Sequence, residues 1–360
     1  MDRTGGGKQL YSIQALRGLA AFLVVFAHSI EHGPGHATNA VMLTARFGVD
    51  IFFVISGLVV LLAAGPGQFA PIDFMKRRLL RVAPLYWATT LFVAVTAVVA
   101  PKIFLTTTFD LSYLVNSLLF IPDTRPGSLD WRPLFKLGWT LNYEMFFYGL
   151  IALTFWCRSL VLRGQILVTA LVGLMIYAAF VPARSFSAFY ASYNLLPFIA
   201  GVVLAMLVPQ RIAKLPRSIR VVGLVIAIAA TITFYQTPFP DTKLLRGHIL
   251  MGAAAFMIVA GALSLEYKIR GVAWFKWCGD VSYSLYLTHM FVIGAGWAVM
   301  KRLGIEGSSA VGYVAIACLI AAALLVADLT YRFLERPLLK AIGGRQRPAT
   351  VLAEAPPISI

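Results

Sequence analysis

Two ionisable side chains, Arg17 and His28, stand eleven positions apart in an otherwise apolar stretch, ALRGLAAFLVVFAHS over Ala15–Ser29. On an α-helix eleven steps of about 100° come to about 1100°, some 20° past three full turns. Both side chains then share one face, with about 16 Å of rise between them. An imidazole titrates near neutral pH and can accept a proton from a hydroxyl, whereas a guanidinium keeps its charge throughout. Each residue also has an ordinary structural reading. Arg17 can reach back to an interface, and His28 can close a helix end.

Four further stretches hold polar groups among apolar ones. In FGVDIFFVISGL, Phe47–Leu58, Asp50 is a carboxylate that could orient an imidazole or simply start a helix, and Ser56 with Gly57 reads first as close helix packing. In FMKRRLLRVAPLYW, Phe74–Trp87, Arg77, Arg78 and Arg81 form the densest cationic cluster. Arg78 and Arg81 share a face, and Pro84 marks the boundary with the following span. Guanidinium forks suit phosphate oxygens, though such a cluster also serves lipid headgroups. In GWTLNYEMFFYG, Gly138–Gly149, Glu144 lies among large apolar residues and must be paired or neutral there; a structural ion pair with Arg17 or His28 would satisfy it. In SYSLYLTHMFV, Ser282–Val292, His289 falls mid-span, the place of a satisfied core histidine. Glu144 and Asp50 join His28 as candidate catalytic residues, Arg17, Arg77, Arg78 and Arg81 are candidates for donor binding, and Asn142, Tyr148, Ser56 and His289 for substrate contact or support. No metal site is expected, since the three cysteines (Cys157, Cys278, Cys318) show no ligand spacing and read as small apolar residues.

The elements that must position these groups follow from composition. The 360 residues are 59% hydrophobic and 13% charged, against about 45–50% and about 25% in ordinary globular domains. That excludes a soluble enzyme of usual make-up. Runs of about 20 apolar residues, enough to cross a bilayer, predict about ten spans: Tyr11–Ile30, Ala45–Ala64, Pro84–Ala100, Trp139–Trp156, Ile166–Val181, Tyr193–Val208, Ile219–Tyr235, Gly247–Leu265, Val281–Val299 and Ala310–Phe333. A shorter run, Leu111–Ile121, is read as interfacial or re-entrant. The expected architecture is an all-α integral membrane protein, a single bundle over residues 11–340 between a cytoplasmic tail (1–10) and a disordered cytoplasmic tail (341–360). With the N-terminus cytoplasmic, about two thirds of the 31 basic residues fall on inner segments, the positive-inside bias. Topology thereby explains the net charge of +16, and nucleic-acid binding is not needed. The same topology sets His28, Asp50 and Glu144 toward the outer level and Arg17, Arg78 and Arg81 at the inner one.

These motifs, in this order, resemble the acyltransferase 3 family of integral membrane acyltransferases, and within it the exopolysaccharide O-acetyltransferase (ExoZ-type) branch. The resemblance rests on Arg17-x10-His28, FGVDIFFVISGL, the RRLLR run from Arg77, GWTLNYEMFFY, SYSLYLTH and the E-R-P at Glu335, over roughly Ser12 to Leu338. It implies transfer of an acyl group, usually acetyl, from cytoplasmic acetyl-CoA to a sugar hydroxyl of a glycan or its lipid-linked precursor. It further implies a multi-pass location in the inner (cytoplasmic) membrane. By resemblance His28 is the catalytic histidine, Arg17 its partner in the motif, and Arg78 and Arg81 the R-x-x-R element that engages the donor. The periplasmic hydrolase-like domain that family members often carry has no room here, so the bundle is expected to act alone. A glycan flippase also suits many spans with buried charges; label transfer from acetyl-CoA to glycan separates the two.

Overall fold

A computed structural model describes residues 10–31, 39–103, 107–124, 131–178, 180, 185–207, 225, 228, 245–266, 271–305 and 310–343. Among them the regular structure is all helical, with one isolated bridge, Thr124 to Trp131. The elements are α1 (Tyr11–Glu31), α2 (Asn39–Ala64), α3 (Pro71–Val99), α4 (Leu111–Leu118), α5 (Trp139–Leu153), α6 (Leu160–Tyr177), α7 (Phe186–Tyr190), α8 (Leu196–Leu207), α9 (Leu245–Ser264), α10 (Ala273–Arg302), α11 (Ala310–Thr330) and α12 (Arg336–Gly343). A π-helical turn, Tyr331–Glu335, joins the last two. Residues 1–9 of the N-terminal tail, residues 344–360 and, apart from 225 and 228, the expected span Ile219–Tyr235 lie outside the described residues; the first three residues of the tail expected to be disordered, 341–343, close α12 as helix.

Eight described helical runs are long and apolar enough to cross a membrane, one of them Phe186–Leu207 through α7 and α8 and another Ala310–Ile342 through α11 and α12, where the sequence predicts about ten. The expected fourth span is the described exception. As α5 it has only 15 residues, about 22 Å of helix at 1.5 Å per residue, shorter than the hydrocarbon thickness of about 30 Å. Pro84 does not start a span. Helix α3 opens at Pro71, whose missing N–H costs nothing at a first helical position, and runs through Pro84 to Val99. The arginine run therefore lies on the opening turns of a spanning helix. Beside the proline the Val82 carbonyl accepts from the Tyr283 hydroxyl at 2.6 Å, the kind of neighbouring contact that lets a bundle tolerate the interruption. The run expected not to span is the eight-residue α4. It is N-capped by Asp110, whose carboxylate accepts from the Tyr113 N–H at 2.9 Å, and tied to α3 through Tyr86 and Trp87, which donate to the Ser117 and Leu118 carbonyls.

Helix α2 is the most enclosed of the spans, packed by α1 and α8; α6 and α11 turn most of their apolar surface outward, as helices facing lipid do. Lipid is as apolar as leucine, so small residues rather than hydrophobic burial set the helix approaches. A methyl on Gly201 of α8 would collide with the Val54 carbonyl of α2, and one on Gly48 would come within 2.6 Å of the Ala20 carbonyl of α1. One on Gly18 would meet Cys278 of α10 at 2.5 Å. Helix α1 is thus pressed between α2 and α10 with no bulk intervening. Its first turn is capped bidentately, the Tyr11 and Ser12 N–H groups donating to Glu266 at 2.8 and 2.7 Å. At the other end Trp297 Nε1 of α10 donates to the Ser29 carbonyl at 2.8 Å.

Candidate active site

The close approach of α1 to α10 has a direct chemical result. His28 Nδ1 lies 3.0 Å from His289 Nε2, and the rings are nearly parallel, 8° apart in plane with centroids 5.2 Å apart. His289 is fully buried, and its Nδ1 is 3.0 Å from the Leu285 carbonyl one turn back. A carbonyl only accepts, so Nδ1 of His289 carries the proton and its Nε2 offers a lone pair. His28 Nδ1–H then donates to that lone pair, and the lone pair of His28 is on Nε2. On that side stands Glu31, with Oε2 at 3.8 Å.

His28 and Glu31 both line a cavity of about 900 Å³, within the usual range for small-molecule sites. Its wall includes Arg46, Val49, Arg132, Lys136, Trp139 and Tyr286. Tyr286 is held by Thr140 at 2.9 Å and by the Leu137 carbonyl at 3.1 Å. Arg46 is the hub of a hydrogen-bonded group in the wall, where Asn194 and His248 also line the cavity. Its Nε donates to Asp50 at 3.0 Å, Nη1 to Asn194 at 2.6 Å and Nη2 to His248 Nδ1 at 3.2 Å. Asn194 in turn donates to the Tyr143 hydroxyl at 3.0 Å.

Asp50 is therefore committed to Arg46, and its Oδ2 is buried without a hydrogen-bond partner. Glu144 is not beside His28 either. It lies about one and a half turns into the short helix α5, which starts at the cavity wall with Trp139 and carries it to Ser56. Ser56 donates to Glu144 at 3.0 Å, and Tyr148 bonds the same carboxylate. The partner sought for His28 in Glu144 or Asp50 is, in the structure, His289. Gly57, beside Ser56, forms the expected close packing contact, with α8.

Glu144 belongs instead to a second cluster, at the Arg17 end of the bundle. The Arg78 guanidinium lies over the rings of Phe74 and Tyr148, at 5.6 and 5.8 Å. Arg17 bonds Gln14 at 3.3 Å, and Arg81, Glu335, Glu144 and Asp280 are the charged groups that act on it. Glu335, turned inward by the π-helical turn, accepts from Ser284 at 2.5 Å. Arg77 and Arg81 are exposed. Asn142 is fully buried with neither end of its amide hydrogen-bonded, a costly state for a polar group. The cavity at His28 has none of these arginines in its lining. Between the two levels Phe52 meets the edge of Tyr286, centroids 6.1 Å apart.

Sequence reasoning missed Glu31, Arg46, Asn194 and His248. Arg46 and Asp50 were visible as an i, i+4 pair, and Glu31 as a neighbour of His28 one turn on. Asn194 and His248 lie in other helices, and no spacing points to them.

The model of the family described as an acyltransferase domain matches residues 10–332. The chain is 32% identical over 315 residues to the exopolysaccharide production protein ExoZ of Rhizobium meliloti, covering 84% of this chain and 92% of that one. It is 23% identical to the acyltransferase MdmB of Streptomyces mycarofaciens, over 95% of each chain. It is 27% identical to the O-acetyltransferase OatA of Staphylococcus aureus, over 92% of this chain and 58% of that protein. No solved structure matches it. A match over nearly the whole helical bundle, with the ordered motifs, shows that this multi-pass membrane protein belongs to the acyltransferase 3 family and is an acyltransferase.

Proposed function

We propose that the chain is an O-acetyltransferase of the inner membrane, moving an acetyl group from cytoplasmic acetyl-CoA to a sugar hydroxyl of an exopolysaccharide or its lipid-linked precursor. One observation carries this reading: His28, with its tautomer set by His289 at 3.0 Å, stands at the wall of a cavity large enough for a sugar. The similarity to an exopolysaccharide production protein and to an O-acetyltransferase supports the acceptor class and the group transferred.

In this reading the N-terminus is cytoplasmic, as the distribution of basic residues favours. The arginine cluster then faces the cytoplasm and the His28 cavity the other side. His28 Nε2 takes the proton of the acceptor hydroxyl as its oxygen attacks the thioester carbonyl. The C–S bond breaks, and the proton held on Nε2 leaves with the CoA thiolate. Glu31 stabilises the imidazolium in between, and His289 holds the ring, the division of labour seen wherever a histidine base is oriented by a third group. Arg17, Arg78 and Arg81 suit the donor's phosphates, with Glu144, Glu335 and Tyr148 keeping their side chains in place and Arg77 at the exposed rim. In this reading Asn142, buried without a hydrogen-bond partner, is a polar contact for the bound donor. The pantetheine arm would cover the rise of about 16 Å between Arg17 and His28, passing the Phe52–Tyr286 contact.

The test uses purified, inserted protein and acetyl-CoA labelled in the acetyl group. Wild type should place label on the glycan, and His28→Ala should not. A folded His28→Ala protein that acetylates at the normal rate would overturn the assignment.

A further inference from the structure

Three aromatic side chains, Trp139, Tyr193 and Tyr286, line the cavity at His28, and they differ in how their polar ends are used. Tyr286 is bonded twice, to Thr140 and to the Leu137 carbonyl. Among the described residues, the Trp139 indole N–H and the Tyr193 hydroxyl have no hydrogen-bond partner. The neighbours of Tyr193 are engaged, Ser192 with the Tyr143 hydroxyl and Asn194 with Arg46 and Tyr143. Tryptophan and tyrosine normally find a partner for these groups when buried, so two open ones at one half-buried wall suit a ligand that carries hydroxyls. Trp139 is also held in place. Phe53 and Tyr143 meet it at 85° and 90°, with centroids 6.2 and 5.9 Å away. It opens α5 directly after Gly138, which packs on Tyr86. From there ring contacts lead toward the base: Phe52, next to Phe53, meets Tyr286, Tyr286 meets His289, and His289 stacks on His28. An indole that only anchored the bundle at the membrane surface would face lipid; this one lines the cavity.

Resting on the reading of His28 as the base and a glycan as the acceptor, we propose that Trp139 is the platform for the acceptor's sugar ring, with its N–H and the Tyr193 hydroxyl bonded to the ring's oxygens. A pyranose has a face of C–H groups and a rim of hydroxyls. The indole offers apolar area to the first and a donor to the second. An acyclic polyol carries the same hydroxyls without the flat face, and ordering its chain costs rotamer freedom that a ring has already given up. The site therefore selects a cyclic sugar. A platform fixed by its neighbours sets one hydroxyl of that ring at His28 in a reacting geometry, so the same contact supplies affinity and orientation.

The experiment uses purified full-length protein in nanodiscs, acetyl-CoA labelled in the acetyl group, and two probes of matched hydroxyl chemistry, methyl β-glucopyranoside and sorbitol. Transfer is measured as kcat/KM for each probe, together with the KM for acetyl-CoA. Wild type should favour the ring by about tenfold, the size of one good aromatic contact. Trp139→Leu should bring that ratio toward one. Trp139→Phe keeps a ring and should hold most of the ratio, while losing about two- to tenfold in kcat/KM with one hydrogen bond. Tyr193→Phe should lose a similar factor. In all three variants the KM for acetyl-CoA should stay at the wild-type value, which a general loss of packing would not allow. Equal turnover of ring and polyol by wild type, turnover of neither, or a Trp139→Leu enzyme that keeps the ratio would overturn the proposal. Failure of the base reading would look different. His28→Ala would then still acetylate the glucoside, while the ratio and its dependence on Trp139 kept their values.

Discussion

Replacing His289 with leucine removes the lone pair that receives His28 Nδ1–H, while keeping an apolar side chain at a fully buried position. His28 then has no partner to hold its proton on Nδ1, so Nε2 no longer presents a lone pair to the acceptor in a single geometry. The loss is that of one hydrogen bond to a group that becomes charged in the transition state, about 1.5–3 kcal/mol. At about 1.4 kcal/mol per factor of ten, acetyl transfer should fall about 10- to 100-fold. The loss should appear in kcat, because His289 acts on the base His28, and the KM for acetyl-CoA should stay close to wild type. His289→Gln supplies an acceptor oxygen and should recover part of the rate. The assay is transfer from labelled acetyl-CoA in detergent or nanodiscs, with equal amounts of folded protein shown by size exclusion. A correctly inserted His289→Leu enzyme with wild-type kcat would refute the tautomer argument. So would a Gln variant no better than Leu, because a packing role does not distinguish them in that direction.

Two other perturbations address the donor and the frame. Arg78→Lys keeps the charge but loses the planar fork over Phe74 and Tyr148; the KM for acetyl-CoA should rise about tenfold with kcat little changed, and steady-state kinetics checks it. Arg163 is fully buried and donates to the Gly65, Gly67, Cys157 and Thr154 carbonyls, so it ties the loop after α2 to the loop after α5. Arg163→Leu leaves those carbonyls without their donor and should lower stability by about 3 kcal/mol or more, read as a fall in thermal midpoint in detergent. A variant as stable as wild type would show that other groups take over the carbonyls.

The composition and the apolar runs determine that this chain is a bundle of membrane helices, because each backbone polar group in a bilayer must be satisfied within its own helix. Arg17 and His28 on one helix face, about 16 Å apart, follow from helical periodicity alone. The arginine cluster on α3 was legible for the same reason, although Pro84 does not end the helix there, since a neighbouring hydroxyl and the packed bundle tolerate it. What no spacing could supply is which residues of different helices meet. His28 pairs with His289, 261 positions away, because glycines at 18 and 48 let α1 lie directly against α10 and α2. Glu144 departs from His28 because α5 starts at the cavity wall and carries it to Ser56, and Asp50 because Arg46 one turn earlier on α2 claims it. Local sequence sets the period and face of each helix through backbone geometry. The depth and azimuth at which faces meet depend on side-chain volumes summed over all the contacts, and only the folded bundle resolves that sum.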